Sequence, residues 1–88
     1  MRTSSETVVR LPDAVALHAR PAAEFVRAAM GFDAEIVVSA DGREANAKSL
    51  MAVLALGAKG GTSLGLRAEG PDADRALERL AGCVADFE

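Results

Sequence analysis

Hydrophobic and polar positions alternate along this chain in two periods. Thr7 to Leu11 (TVVRL), Glu35 to Ser39 (EIVVS) and Ser63 to Glu69 (SLGLRAE) are short β-branched or alternating runs bounded by turn residues. Each predicts a strand. Gly65 weakens the last of them. Between the first two runs, Ala22, Phe25, Val26, Ala29 and Met30 recur at three- and four-residue steps. That spacing predicts a helix from about Ala19 to Met30, with Gly31 stopping it at the C′ position. Asp41-Gly42 marks a hairpin turn. A weaker strand, Arg43 to Ala47, follows it, polar enough for a sheet edge. Lys48 to Leu56 reads as a second helix with Ser49 as its N-cap and Gly57 at its end. Lys59-Gly60-Gly61-Thr62 is a turn. Gly70-Pro71-Asp72 opens a third helix running to about Asp86. Its buried stripe is Ala73, Ala76, Leu77, Leu80, Val84 and Phe87, and Asp72 and Asp74 suit its positive end.

The element order is therefore β-α-β-β-α-β-α. The first and third helices have one apolar stripe each and the strands are short, which an antiparallel sheet with helices on one face explains. A ferredoxin-like arrangement with an added helix has the same order, and periodicity does not choose between strand orders. No linker or repeat interrupts the 88 residues, so one domain, 1–88, is expected. A chain of this size buries roughly two thirds of its unfolded surface and folds without a disulfide or metal.

Charge and composition narrow the partners. The net charge is −3, with acidic and basic residues interspersed, and there is no Trp or Tyr. Nucleic acid is not expected as a main partner, because neither a phosphate-neutralising stripe nor stacking aromatics are present. With one Cys and one His there is no disulfide and no metal-ligand cluster. Cys83 falls on a helix face with Leu80, Val84 and Phe87, the place of a buried thiol. The polar start Met1 to Glu6 is no signal peptide, and no apolar run reaches the ~20 residues of a membrane span. A cytoplasmic location, no membrane insertion and no cofactor follow as expectations.

The chemistry centres on Leu17-His18-Ala19-Arg20-Pro21-Ala22, which holds the chain's single histidine. Pro suits a first helical turn, so His18 sits at or beside a helix start. Free N–H groups and the positive dipole end favour an anion there. A neutral imidazole at that place is a nucleophile able to take up a phosphoryl group. The N–H groups and Arg20 would then hold the phosphate oxygens. The plainer account is that His18 is an N-terminal cap or a packed side chain and Arg20 a solvated charge. Glu24 and Arg27 have a plain account too, a solvated face with weak pairing. In the second helix, inward Val53 and Leu56 leave Leu50, Met51 and Leu54 on another face. That face is either buried or an exposed partner surface.

The same hexapeptide resembles the active-site signature of the HPr family, the histidine-containing phosphocarriers of the bacterial sugar phosphotransferase system. Asn46-Ala47-Lys48-Ser49-Leu50-Met51, running on to Leu56-Gly57, resembles that family's regulatory serine segment. The resemblance extends over essentially the whole chain from Thr7. It implies an α+β, open-faced β-sandwich: four antiparallel strands in the order 1-4-2-3, with three helices on one face. It implies that His18 accepts a phosphoryl group on Nδ1 from phosphorylated enzyme I, which takes it from phosphoenolpyruvate. The group then passes to the IIA unit of a sugar permease. Arg20 would hold the phosphate, with Ala19, Arg20 and Pro21 forming the helix start around it. Such a carrier is expected to be monomeric and to have no independent turnover.

The second motif implies regulatory phosphorylation of Ser49 by a serine kinase, reversed by a phosphorylase. Phosphoserine adds ~1.5–2 negative charges where the helix dipole tolerates them. The charge would repel an acidic face of enzyme I and favour a basic partner such as a catabolite repressor protein. Leu50, Met51 and Leu54 match the family's apolar docking patch, which favours exposure. Two positions depart from the family pattern. Ala16 stands where glycine is usual, and its methyl restricts the loop before His18. Ala52 stands where a glycine is common. Three other accounts remain. One is a specialised paralogue serving a nitrogen-linked or dihydroxyacetone pathway, or a carrier domain separated from a fusion. Another is a regulatory binding module acting through the helix-two patch, and the third is a ferredoxin-like nucleic-acid binder.

Overall fold

The computed structural model describes residues 4–87. The elements run β1 (Ser4–Arg10), α1 (Ala19–Ala29), β2 (Glu35–Ala40), β3 (Arg43–Asn46), α2 (Leu50–Leu56), β4 (Ser63–Glu69) and α3 (Ala73–Ala85). The strands form one antiparallel sheet in the order β1-β4-β2-β3. This is the order the resemblance implies, and it excludes the ferredoxin-like alternative. One face of the sheet carries Ile36, Val38, Ala40, Leu64, Leu66 and Ala68, all buried under the helices. Val8, Val37, Ser39 and Gly65 lie on the other, open face, where Val8 is 70% exposed.

Local chemistry explains most of the boundaries. Asp41 (φ 51°) and Gly42 (φ 80°) both take the left-handed region that a two-residue hairpin requires. β3 is short, mostly exposed and at the sheet edge, in keeping with its polar sequence. Gly57 closes α2 with φ 62°. The expected stripe of α3 is buried in full, Phe87 included, and Cys83 is buried with it. Burial raises the Cys83 thiol above its ordinary pKa, against any role as a reactive thiolate.

The expectations for β1 and Met30 need correcting. β1 starts at Ser4, not Thr7, and ends at Arg10. Its polar first residues pair through the backbone with β4, Ser4 opposite Glu69 and Ser5 opposite Ala68, which needs no apolar side chain. Leu11 instead enters the core just past the strand. Met30 is not on the buried stripe: it is the C-cap residue and is 65% exposed. Gly31 stands just past the α1 C-cap, as expected, and is not in the left-handed region. The last turn tightens instead, with Gly31 N–H donating to Ala28 C=O and Phe32 N–H to Ala29 C=O. Asp72 holds the N-cap position of α3 without a side-chain capping bond. Its carboxylate accepts from the N–H groups of Asp33 (2.9 Å) and Ala34 (2.8 Å), fastening the start of α3 to the chain entering β2. The Asp33 N–H is the main reason its pKa lies below the ordinary value.

Candidate functional site

Residues 11–18 lead from β1 to α1. Leu11, Val15 and Leu17 are buried, whereas Asp13, Ala14 and His18 are exposed. The buried side chains anchor the loop and leave the imidazole outside. Leu17 N–H donates to Ala58 C=O at 2.8 Å, tying the residue before His18 to the chain just past α2.

His18 is the N-cap residue of α1, with extended φ −137° and ψ 172°. Its carbonyl accepts the first helical bond from Ala22 N–H at 3.3 Å. The N–H groups of Ala19 and Arg20 lie ahead of that bond, and Pro21 has none. The imidazole makes no capping bond. His18 is thus neither a side-chain cap nor a packed core residue, the two plain accounts of a lone histidine here.

Two features constrain the ring. Nδ1 lies 3.2 Å from Ala16 C=O. A carbonyl only accepts, so this contact is a hydrogen bond in the tautomer that carries its proton on Nδ1 and presents the lone pair at Nε2. The other feature is the backbone just after the ring. Ala19 has φ 33°, a region that L-residues rarely adopt. Ala16, the departure from the family's glycine, is not among the positive-φ residues. The strained position is therefore Ala19, on the far side of His18.

Arg20 is exposed, and among the described residues no carboxylate or carbonyl holds its guanidinium. It is a free cation two residues after an exposed imidazole, at a helix end that already favours anions. His18, Ala19, Arg20 and Pro21 come together as one exposed helix start.

Ser49 is half-buried at the start of α2, where its Oγ accepts from Ala52 N–H at 3.3 Å. Lys48, just before it, donates from Nζ to Phe32 C=O at 2.6 Å, joining the end of α1 to the start of α2. Val53 and Leu56 point inward; Leu50 is 41% and Met51 78% exposed, and Leu54 is half-buried. The helix-two patch is therefore largely open, most strongly at Met51. The structure adds Met30, which lines a shallow 340 Å³ depression between the two helices with Ala23, Val26, Arg27, Lys48 and Leu50. Periodicity placed Met30 on the core side because it lies four residues beyond Val26. Met30 keeps helical backbone (φ −68°, ψ −13°) and its N–H donates to Val26 C=O, so it does share that face; at this end of α1 the face opens onto the depression instead of the core. No cluster of His, Cys, Asp or Glu among the described residues could hold a metal, and no described helix is long and apolar enough to cross a membrane.

Comparison with known proteins bears on this geometry. The family model described as the PTS HPr component phosphorylation site matches residues 5–86. The chain belongs to the HPr family. HPr proteins are phosphocarriers of the phosphotransferase system, carrying phosphate rather than turning over a substrate. The phosphocarrier protein HPr of Vibrio cholerae is 47% identical over 68 residues, 77% of this chain and 80% of that protein. That of Streptomyces coelicolor is 46% identical over 83 residues, 93% of this chain and 89% of the relative. The crystal structure of an HPr from Thermoanaerobacter tengcongensis superposes with a TM-score of 0.88 at 37% identity, over 92% of this chain and 91% of that one.

Proposed function

We propose that His18 accepts a phosphoryl group from phosphorylated enzyme I, charged by phosphoenolpyruvate, and passes it to the IIA units of sugar permeases. The observation that carries this is the open start of α1. There an exposed imidazole that caps nothing stands beside N–H groups and an Arg20 guanidinium that have no partner among the described residues. In the transfer, an imidazole nitrogen lone pair forms the new bond to phosphorus while the bond from phosphorus to the donor breaks. Ala19 and Arg20 N–H and the Arg20 guanidinium face the charge that arrives. Acceptance on Nδ1 requires the ring proton to reside on Nε2 and the ring to turn away from Ala16 C=O. An exposed site without a closed pocket suits a carrier that must give up what it receives, and each partner then supplies most of the transfer geometry. The carrier works as a cytoplasmic monomer, docking partners in turn through Leu50, Met51 and Leu54, with Met30 on the same side.

Incubation with enzyme I, Mg²⁺ and phosphoenolpyruvate, followed by phosphorus NMR and intact mass, tests this. The expected result is one acid-labile phosphoryl group on wild type, assigned to a His18 ring nitrogen and absent from His18→Ala. No transfer with a competent enzyme I would overturn it for that partner. Assays against several IIA units then separate a general sugar carrier from one specialised for another pathway.

A second reading concerns Ser49. Its hydroxyl closes the start of α2 directly beside the exposed Leu50 and Met51. A phosphoryl group there would put negative charge next to the docking patch without dismantling the helix. It would act as a switch, set by a kinase and reset by a phosphorylase, that weakens enzyme I docking and favours a basic partner such as a catabolite repressor protein. A Ser49→Asp variant that docks to enzyme I as tightly as wild type would count against it.

A further inference from the structure

The loop carrying His18 runs alongside the turn between α2 and β4, and the two segments meet at four places. Leu11 N–H donates to Thr62 C=O (2.9 Å), and Gly61 N–H to Leu11 C=O (3.1 Å) and Pro12 C=O (3.3 Å). Leu17 N–H donates to Ala58 C=O (2.8 Å). Between these bonds the backbones touch at Gly60. A Cβ there would overlap Asp13 O outright, lying 2.7 Å from Asp13 C and 3.1 Å from Pro12 O. Gly60 is not in the left-handed region, so its backbone would admit an L-residue and only space forbids a side chain. Arg10 spans the same junction, donating from Nε to Gly61 C=O (3.1 Å) and pairing with Asp13 Oδ1 (2.7 Å).

From this contact we infer that Gly60, with Arg10 across it, is a positioning residue for His18, acting through Asp13–Leu17. A side chain at Gly60 must push the loop and the turn apart by on the order of 1 Å, and misplacement of that size costs up to about 10²-fold in rate. The push falls on the two segments that the Leu17–Ala58 bond joins immediately before His18. It therefore reaches Ala16 C=O, the group that faces Nδ1. The exposed Arg10–Asp13 pair adds little to stability. Its role is to hold the junction in register.

This inference rests on the carrier reading for its rate assay but not for its spectroscopic one. Gly60→Ala, Arg10→Ala and Arg10→Lys would be compared with wild type by the rate of phosphoryl acceptance from enzyme I. The nitrogen-15 shifts and pH titration of the His18 ring would be recorded in parallel. Gly60→Ala should accept the phosphoryl group at least tenfold more slowly at saturating enzyme I, with little change in KM. Its ring shifts should report a changed tautomer balance. Arg10→Ala should show a smaller change of the same kind, and Arg10→Lys should recover part of it. A folded Gly60→Ala with wild-type ring shifts and rate would overturn the inference. If Gly60→Ala does not fold, the Arg10 pair decides: unchanged ring shifts in Arg10→Ala would overturn it equally. If wild type itself takes no phosphoryl group, the carrier reading fails, and the ring shifts alone still decide the positioning role.

Discussion

The molecule begins its helices in three different ways. At α2, Ser49 turns its own side chain inward and satisfies Ala52 N–H. At α3, Asp72 stands in the capping position but spends its carboxylate on Asp33 and Ala34 of another segment. At α1, His18 holds that position but its side chain caps none of the helix's N–H groups, Pro21 removes one donor, and Ala19 sits at a costly φ. The first start is closed locally, the second is used to join two segments, and the third is left open. A helix start left open amid strained backbone, in a small and otherwise well-satisfied domain, favours an anion, as the proposed phosphoryl transfer to His18 needs.

The largest expected effect breaks this comparison at α1. His18→Ala should abolish phosphoryl acceptance in the enzyme I assay while changing stability by no more than about 0.5 kcal/mol in urea, as for an exposed residue with no special contact. A substantial loss of stability would mean that His18 holds the fold in the way Ser49 and Asp72 do.

Asp72→Ala should come next and fall entirely on stability, because it strands two N–H groups and unfastens α3 from the chain before β2. The folded-state pKa of Asp72 is depressed, so its contribution is fully present above the ordinary carboxylate value and is lost as pH falls through the lower folded value. Urea midpoints of wild type and Asp72→Ala should therefore differ at pH 7 and converge below about pH 4. A constant difference across that window would show that the carboxylate charge is not what joins the segments.

How much of this contrast could be read from the sequence depends on whether each feature is local. Ser49 as a cap, the Asp41-Gly42 turn, β4 and the α3 stripe were all legible, because each follows from neighbouring residues and a fixed period. His18 at a helix start was legible for the same reason, through Pro21 and the apolar run after it. The polar beginning of β1 was not, because Ser4 and Ser5 join the sheet through backbone pairing with β4. Nor was the exposure of Met30, which depends on how α2 packs beside the end of α1. The Asp72 bonds and the contact of Gly60 with Asp13 join residues 38 or more positions apart, and no periodicity encodes such pairs. The strand order came from family resemblance and could not be derived from hydrophobic spacing.

Ser49→Ala sharpens the comparison at its closed member. Losing the cap should cost about 1 kcal/mol, read as a lower urea midpoint with an unchanged slope. Phosphoryl acceptance at His18 should be retained, since Ser49 acts only at the start of α2. A fall in acceptance as large as the fall in stability would mean that the two helix starts are coupled, a result that would favour a direct influence of Ser49 on the His18 site.

The smallest effect tests whether the open start is held at a cost. At φ 33° Ala19 bears strain of order 1 kcal/mol, which a glycine would not. Against that gain stands the greater freedom of glycine in the unfolded chain, about 0.5–1 kcal/mol. Ala19→Gly should therefore leave stability unchanged or raise it by a few tenths of a kcal/mol, where the same exchange within α1, at Ala23, should lower it by up to about 1 kcal/mol. Equal losses at both positions would show that Ala19 is unstrained. The absence of loss at Ala19 alone would mean that the fold forces this residue out of its preferred conformation just where the first N–H groups of α1 lie open.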